Sequence, residues 1–111
     1  MVRNSLTRVD SIGRNDPLAY EANEERARTL GNLDRRLRAA LEAIRRFDER
    51  SSSGVAYTED ERKSLIDAAA LAMWELCVFR DSCGLTHTDR AVREYCVPIQ
   101  VVARVGAVRP Q

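Results

Sequence analysis

The chain has 111 residues, of which 44% are hydrophobic and 32% charged, and its net charge at pH 7 is +1. A chain of this length folds as one small domain that hides about two thirds of its unfolded surface, so it needs neither a metal ion nor disulfides for stability. The balanced charge excludes a global electrostatic attraction to nucleic acid or to an acidic membrane.

The sequence predicts neither a secreted nor a membrane-embedded protein. Its N-terminal stretch has no apolar segment ahead of a small-residue cleavage site, and no segment reaches the roughly 18 apolar residues that a membrane span requires. We therefore expect a cytoplasmic protein in which the three cysteines, Cys77, Cys83 and Cys96, are free thiols.

Residues 1–16 mix Asn, Ser, Gly and charged residues without an apolar period, which predicts a flexible N-terminal arm. Residues 17–111 are expected to form a single helical domain. Asn15 or Asp16 can accept hydrogen bonds from the first free amides of a helix, and Pro17 suits the first helical turn. The first helix is therefore expected to begin here.

This first helix carries one narrow apolar stripe and stops within the segment DERSSSGVAY. Its apolar side chains recur at alternating steps of three and four residues, which places them on one face, as in an antiparallel helical hairpin or a coiled coil. The stripe consists of Leu30, Leu33, Leu37, Ala40, Ile44 and Phe47.

A second helix is predicted from about Glu59 to Ser82. Thr58 and Glu61 have the spacing of a capping box, and Gly84 suits the left-handed residue that stops a helix. The face expected to pack against the first helix consists of Leu65, Ala69, Ala72, Leu76 and Phe79.

Two short helices are predicted to follow. The first begins with Thr86 or Thr88 as its cap and ends near Tyr95 or Cys96, and it is expected to bury Ala91, Val92 and Tyr95. Pro98 then forces Val97 out of helical geometry. The β-branched residues of 98–105 favour a strand, whereas Pro98 and Gly106 at its ends favour a short helix. Because no other strand is predicted to pair with it, we expect a helix.

The segment AVREYCVPIQVVARV also resembles a DNA-binding helix-turn-helix. In that alignment Tyr95 and Val97 lie in the core, Cys96 stands where glycine is usual, and Val102 and Val105 anchor the second helix. Only two side chains of the second helix would face base edges, although a recognition helix normally presents three or four polar side chains. The possible nucleic-acid contacts are Gln100 and Arg104 to bases and Arg90 and Arg93 to phosphates. We favour the alternative, in which this segment closes a helical core.

No motif predicts catalysis, a cofactor or a metal ion. Cys77, Cys83, His87 and Cys96 lie near one another in the chain but lack the paired spacing of a zinc site. Cys77 and Cys96 instead have settings that are common for thiols in a core. The sequence has no phosphate-binding loop, dinucleotide fingerprint, zinc-protease motif or nucleophile elbow. We therefore predict a non-enzymatic protein without cofactors.

The second helix carries three large apolar residues, Leu71, Trp74 and Val78, on or beside its otherwise polar face. Large apolar residues in such a position are typical of an interface. Either the C-terminal helices cover them within the monomer, or they form a surface for self-association. We favour the second alternative, a two-fold homodimer with Trp74 as its anchor, or binding to another protein.

The stretch CGLTHTDRAVREYCVPIQVVARVG resembles the C-terminal pattern of small uncharacterised all-helical proteins from proteobacteria, with C-G-L, a later tyrosine, a Val-Pro step and A-R-x-G. The resemblance implies an all-helical fold and no known activity. The predicted fold is thus all-α, with a long antiparallel helical hairpin, two short C-terminal helices and a flexible N-terminal arm. The predicted role is protein-protein interaction, with a small DNA-binding regulator as the alternative.

Overall fold

The computed structural model describes residues 16–54, 58–85 and 88–108. This part of the chain contains four helices and no strand, which confirms the all-α prediction: α1 (Pro17–Ser52), α2 (Glu59–Ser82), α3 (Thr88–Glu94) and α4 (Ile99–Val108). The chain divides into two compact units, Met1–Gly31 and Asn32–Gln111. Apart from Asp16, the predicted N-terminal arm lies outside the described residues.

In the first unit the described residues form the beginning of α1. The backbone N–H of Leu18 donates to the Asp16 carboxylate, with an N–O distance of 3.0 Å, and Pro17 is the first helical residue. This confirms the predicted start and the capping role of Asp16, while Asn15 lies outside the described residues. Leu18 and Tyr20 are exposed.

In the second unit the rest of α1 pairs with α2 in antiparallel direction. The carboxylate of Asp48 lies 2.9 Å from the Arg62 guanidinium near one end of the pair, and that of Glu75 lies 3.1 Å from Arg36 near the other. The predicted stripe of α1 faces inward, since Leu33, Leu37, Ile44 and Phe47 are buried. The helix runs to Ser52, and Gly54 follows with a left-handed φ of +93°.

The ends of α2 are the predicted ones. The Thr58 hydroxyl accepts a hydrogen bond from the backbone N–H of Glu61 at 3.2 Å, and Gly84 follows the helix with φ +81°. The backbone N–H of Leu85 donates to the Arg80 carbonyl at 2.8 Å and that of Gly84 to the Asp81 carbonyl at 3.0 Å, the paired bonds of a Schellman stop.

The helix α2 is buried on two sides. Ala69, Ala72 and Leu76 of the predicted face are buried, while Leu65 and Phe79 are half-buried. A second buried row, which the sequence interpretation did not include, consists of Ile66, Ala70 and Met73. The helix α4 lies close against α2, since the small alanine side chains of α2 let two helix backbones approach.

The C-terminal part forms a helix, a short turn and a second helix. Thr88 is the first residue of α3 rather than its cap, and Thr86 lies outside the described residues. Ala91 and Tyr95 are buried as predicted, and Val92 is half-buried. The helix prediction for residues 98–105 is confirmed by α4, which begins directly after Pro98.

Candidate interaction surface

The stripe Leu71, Trp74 and Val78 lies on a side of α2 that no described helix covers fully. Leu71 is 40% exposed, Val78 is 47% exposed and Trp74 is half-buried. The helix α4 takes the neighbouring side of α2, where Arg104 reaches Asp67. Within the described part of the chain, the C-terminal helices therefore leave this apolar stripe accessible.

A shallow groove of about 290 Å³ opens beside Trp74. Its walls come from both helices of the hairpin, with Leu33 from α1 and with Val78 and Phe79 from α2. Glu75 borders the groove and is held by Arg36 of α1. The part played by Leu33 could not be predicted from the α2 pattern, because it depends on the register between the two helices.

Leu85 extends the apolar pattern beyond the end of α2. It lies seven residues after Val78, itself seven residues after Leu71, and it is 49% exposed. Because α2 ends at Ser82 and Gly84 is left-handed, this interval by itself does not place Leu85 on the same side as the stripe. This spacing was visible in the sequence, although the sequence interpretation ended the stripe at Val78.

The turn between α3 and α4 has a left-handed residue at the position where a helix-turn-helix usually has glycine. Cys96 has φ +52°, and its backbone N–H donates to the Arg93 carbonyl at 3.2 Å. The backbone N–H of Val97 donates to the Val92 carbonyl at 3.0 Å, which completes a Schellman stop. The prediction that Cys96 is a core thiol is wrong, because this turn leaves its side chain exposed.

The helix α4 presents a different face to the core from the one predicted. Val101 is fully buried, whereas Val102, predicted as an anchor, is 38% exposed and Val105 is half-buried. Ile99 is 79% exposed. This orientation of α4 about its own axis follows from its close packing on α2, which buries the side that carries Val101.

The four residues predicted to contact nucleic acid fall into two groups. Arg90 and Arg93 on α3 and Gln100 on α4 are exposed. Arg104 is half-buried, and its Nε lies 2.6 Å from the Asp67 carboxylate.

The surroundings of Gln100 and Arg104 carry charges of both signs. Both side chains line a groove of about 430 Å³, whose other walls include the carboxylates of Glu59, Asp60 and Asp67 and the basic side chains of Arg62 and Lys63. The acidic and basic side chains of this groove balance, so it has no excess positive charge to attract a phosphate backbone. Arg104 is therefore a contact between α4 and α2 in this structure, and a base contact would require it to leave Asp67.

Tyr95 is the centre of a polar cluster that joins the turn to α1. Its hydroxyl donates to the Asp34 carboxylate, and Arg38 donates to the same carboxylate at 3.1 Å. The Arg38 guanidinium also lies 4.6 Å from the centre of the Tyr95 ring. On the other side Arg80 of α2 lies 3.7 Å from Glu94. The sequence interpretation missed this cluster, since its members are distant along the chain.

The cluster shifts the pKa values of its two central groups in opposite directions. Burial raises the pKa of Tyr95 to about 12, and the hydrogen bond to Asp34 and the charge of that carboxylate act in the same direction. The hydrogen bond from Tyr95 lowers the pKa of Asp34, although desolvation opposes this effect; the contact with Arg38 lowers it further. The neutral phenol and the ionised carboxylate are thus the stable pair.

The described residues contain no group of three or more His, Cys, Asp and Glu side chains that could hold a metal ion. His87 lies outside the described residues. Cys83 and Cys96 are exposed and Cys77 is half-buried. Desolvation raises the pKa of the Cys77 thiol, which disfavours the reactive thiolate at this position.

The chain matches no protein-family model, no curated protein and no solved structure. The resemblance to small helical proteins of proteobacteria therefore stays a prediction. No helix in the described ranges is long and apolar enough to cross a membrane.

Proposed function

We propose that this protein is a non-enzymatic cytoplasmic interaction protein that self-associates as a homodimer through Leu71, Trp74 and Val78. The observation that carries the proposal is the partial exposure of this stripe on α2, beside the groove that Trp74 shares with Leu33. Covering such a surface with a second protein removes apolar area from water without disturbing the core.

Trp74 is the expected anchor of the interface. It is half-buried in the monomer, so its ring is already held against the protein and loses little conformational freedom on binding. Interface residues that dominate affinity are commonly tryptophans near the centre of a contact. Leu71 and Val78 lie three and four residues from it on the same helix and would pack around it.

The test is the molar mass of the wild-type protein and of Trp74→Glu, measured by light scattering after size exclusion. The expected result is a wild-type dimer and a monomeric variant with unchanged helix content by circular dichroism. Ile99→Glu is the matched control, because it places the same charge at an exposed apolar residue outside the stripe. A wild-type monomer, or a Trp74→Glu dimer, would count against the proposal.

The second candidate is a small DNA-binding regulator that uses residues 90–105. The left-handed Cys96 between two short helices favours it, because this is the turn geometry of a helix-turn-helix. The ion pair of Arg104 with Asp67 argues against this candidate, because it holds a side chain that would have to contact a base. Arg104→Ala should weaken DNA binding and reduce its dependence on salt if this candidate is right. Binding that is absent, or equal in the variant, would reject it.

A further inference from the structure

We infer that the second copy docks against α2 in antiparallel direction, and that Lys63 and Asp81 set this direction by pairing across the two-fold axis. The inference rests on the proposed self-association and adds its geometry and its charged specificity residues. It follows from three observations: the positions of the two residues on α2, their lack of ion pairs within the described part of the chain, and the position of the stripe between them.

Lys63 and Asp81 lie on the same side of α2, near opposite ends. They are 18 residues apart, which is five turns of an α-helix, so their side chains leave the helix in the same direction about 27 Å apart. Both are exposed. Among the described residues neither forms an ion pair, whereas Asp67 and Glu75 on the same helix each have an arginine partner.

The apolar stripe lies between these two charges. The midpoint of Lys63 and Asp81 falls at residue 72, between Leu71 and Trp74. A two-fold axis at this point brings Leu71 to the level of Met73 of the second copy, one residue from Trp74. The same operation places Lys63 opposite Asp81 of the second copy, and the reverse pair forms at the other end of the interface.

The charges distinguish the two possible directions. In a parallel pair each Lys63 would face another Lys63 and each Asp81 another Asp81, which is repulsive at both ends. In the antiparallel pair both contacts are attractive. A shallow crossing of about 20° keeps the helix ends within reach of a lysine side chain, whereas a crossing of about 50° separates them. The expected interface is therefore a shallow antiparallel packing of α2 on α2.

Asp67 does not disturb this arrangement. The two-fold operation brings it near Val78 of the second copy, where a free carboxylate would be unfavourable. Its charge is already compensated by Arg104 at 2.6 Å. The intramolecular ion pair thus makes the neighbourhood of the stripe more tolerant of an apolar partner.

The experiment uses two full-length variants, Lys63→Asp and Asp81→Lys. Each alone should raise the dimer dissociation constant about ten-fold at low salt, because both intermolecular ion pairs become repulsive. An equimolar mixture should return to the wild-type constant, because a heterodimer of the two variants restores opposite charges at both ends. Sedimentation measures each constant, and circular dichroism checks that the helix content is unchanged.

Arg90→Asp is the matched control, since it reverses an exposed charge on α3, away from the stripe. It should leave the constant within about two-fold of the wild type. Added salt should weaken the wild-type dimer by screening the pairs.

The outcomes separate this inference from the proposal on which it rests. If Trp74→Glu dissociates the dimer while both charge variants keep the wild-type constant, self-association stands and the antiparallel pairing is wrong. The pairing is also wrong if the mixture binds no more tightly than either variant alone. A wild-type monomer at every concentration overturns both.

Discussion

Replacing Cys96 by glycine should stabilise the protein. Cys96 has φ +52°, in the left-handed region that costs a residue with a side chain about 1–2 kcal/mol and costs glycine little. The side chain contributes little in return, because it is exposed and its sulfur lies 3.8 Å from the Arg93 carbonyl oxygen. Glycine also increases the entropy of the unfolded chain, and this effect offsets about 0.4–1 kcal/mol of the stability gained by relieving the backbone strain. The net gain should be about 0.5–1 kcal/mol.

Two positions at the end of α2 provide controls, because substitutions there are expected to lower the stability. Cys83 is also exposed and also follows a helix, but its φ is −95°. Cys83→Gly therefore relieves no backbone strain and should lower the stability by about 0.5–1 kcal/mol. Gly84 has φ +81°, so Gly84→Ala should lower it by about 1 kcal/mol.

The assay is urea unfolding followed by far-ultraviolet circular dichroism, with a reductant present so that the thiols stay free. The midpoint should rise for Cys96→Gly and fall for the two controls, with similar slopes for all four proteins. A Cys96→Gly midpoint at or below the wild-type value would refute the reasoning. Equal gains at positions 83 and 96 would do so too, since they would show that loss of a thiol, not the backbone, is responsible.

Four further predictions concern the core, the Tyr95 cluster and the ion pair of Asp48 with Arg62. Tyr95→Phe should lower the unfolding free energy by about 1–2 kcal/mol, because it removes a hydrogen bond to a charged acceptor; urea unfolding measures the loss. Because the pKa of Tyr95 is raised to about 12, the contribution of its hydroxyl to stability is complete below pH 10 and is lost as the pH rises towards 12. The stability of the wild type should therefore fall across this range more steeply than that of Tyr95→Phe. The lowered pKa values of Asp34 and Asp48 give the opposite sign, with stability lost as the pH falls below about 4, and an acid titration of unfolding that shows no loss there would contradict this. Leu37→Ala should cost about 2–5 kcal/mol, because the side chain is fully buried, whereas Leu18→Ala, at an exposed position, should change the urea midpoint little.

The candidate surface was predictable as a set of residues but not as a surface. Leu71, Trp74 and Val78 stand out in the sequence because they interrupt the polar side of a helix. Their exposure depends on where α4 packs, and α4 instead lies beside Ile66 and Asp67. The sequence offered both sides of α2 as apolar, so only the packing could decide which one remains uncovered.

The sequence by itself determined the helices and most of their ends. Asp16, Thr58 and Gly84 act on hydrogen bonds within four residues of themselves, and the apolar period of α1 follows from the geometry of a single helix. Such signals involve near neighbours in the chain, so they can be read without knowing the fold.

Only the tertiary structure decided how the C-terminal part attaches to the hairpin. Tyr95 meets Asp34 and Arg104 meets Asp67 across separations of 61 and 37 residues, and neither pair has a pattern in the sequence. The choice of Val101 over Val102 as the buried residue of α4 is of the same kind, because a helix that is apolar on several sides can turn any of them inward. The close approach of α2 and α4 selects one of these sides, and that selection is a property of the packed helices.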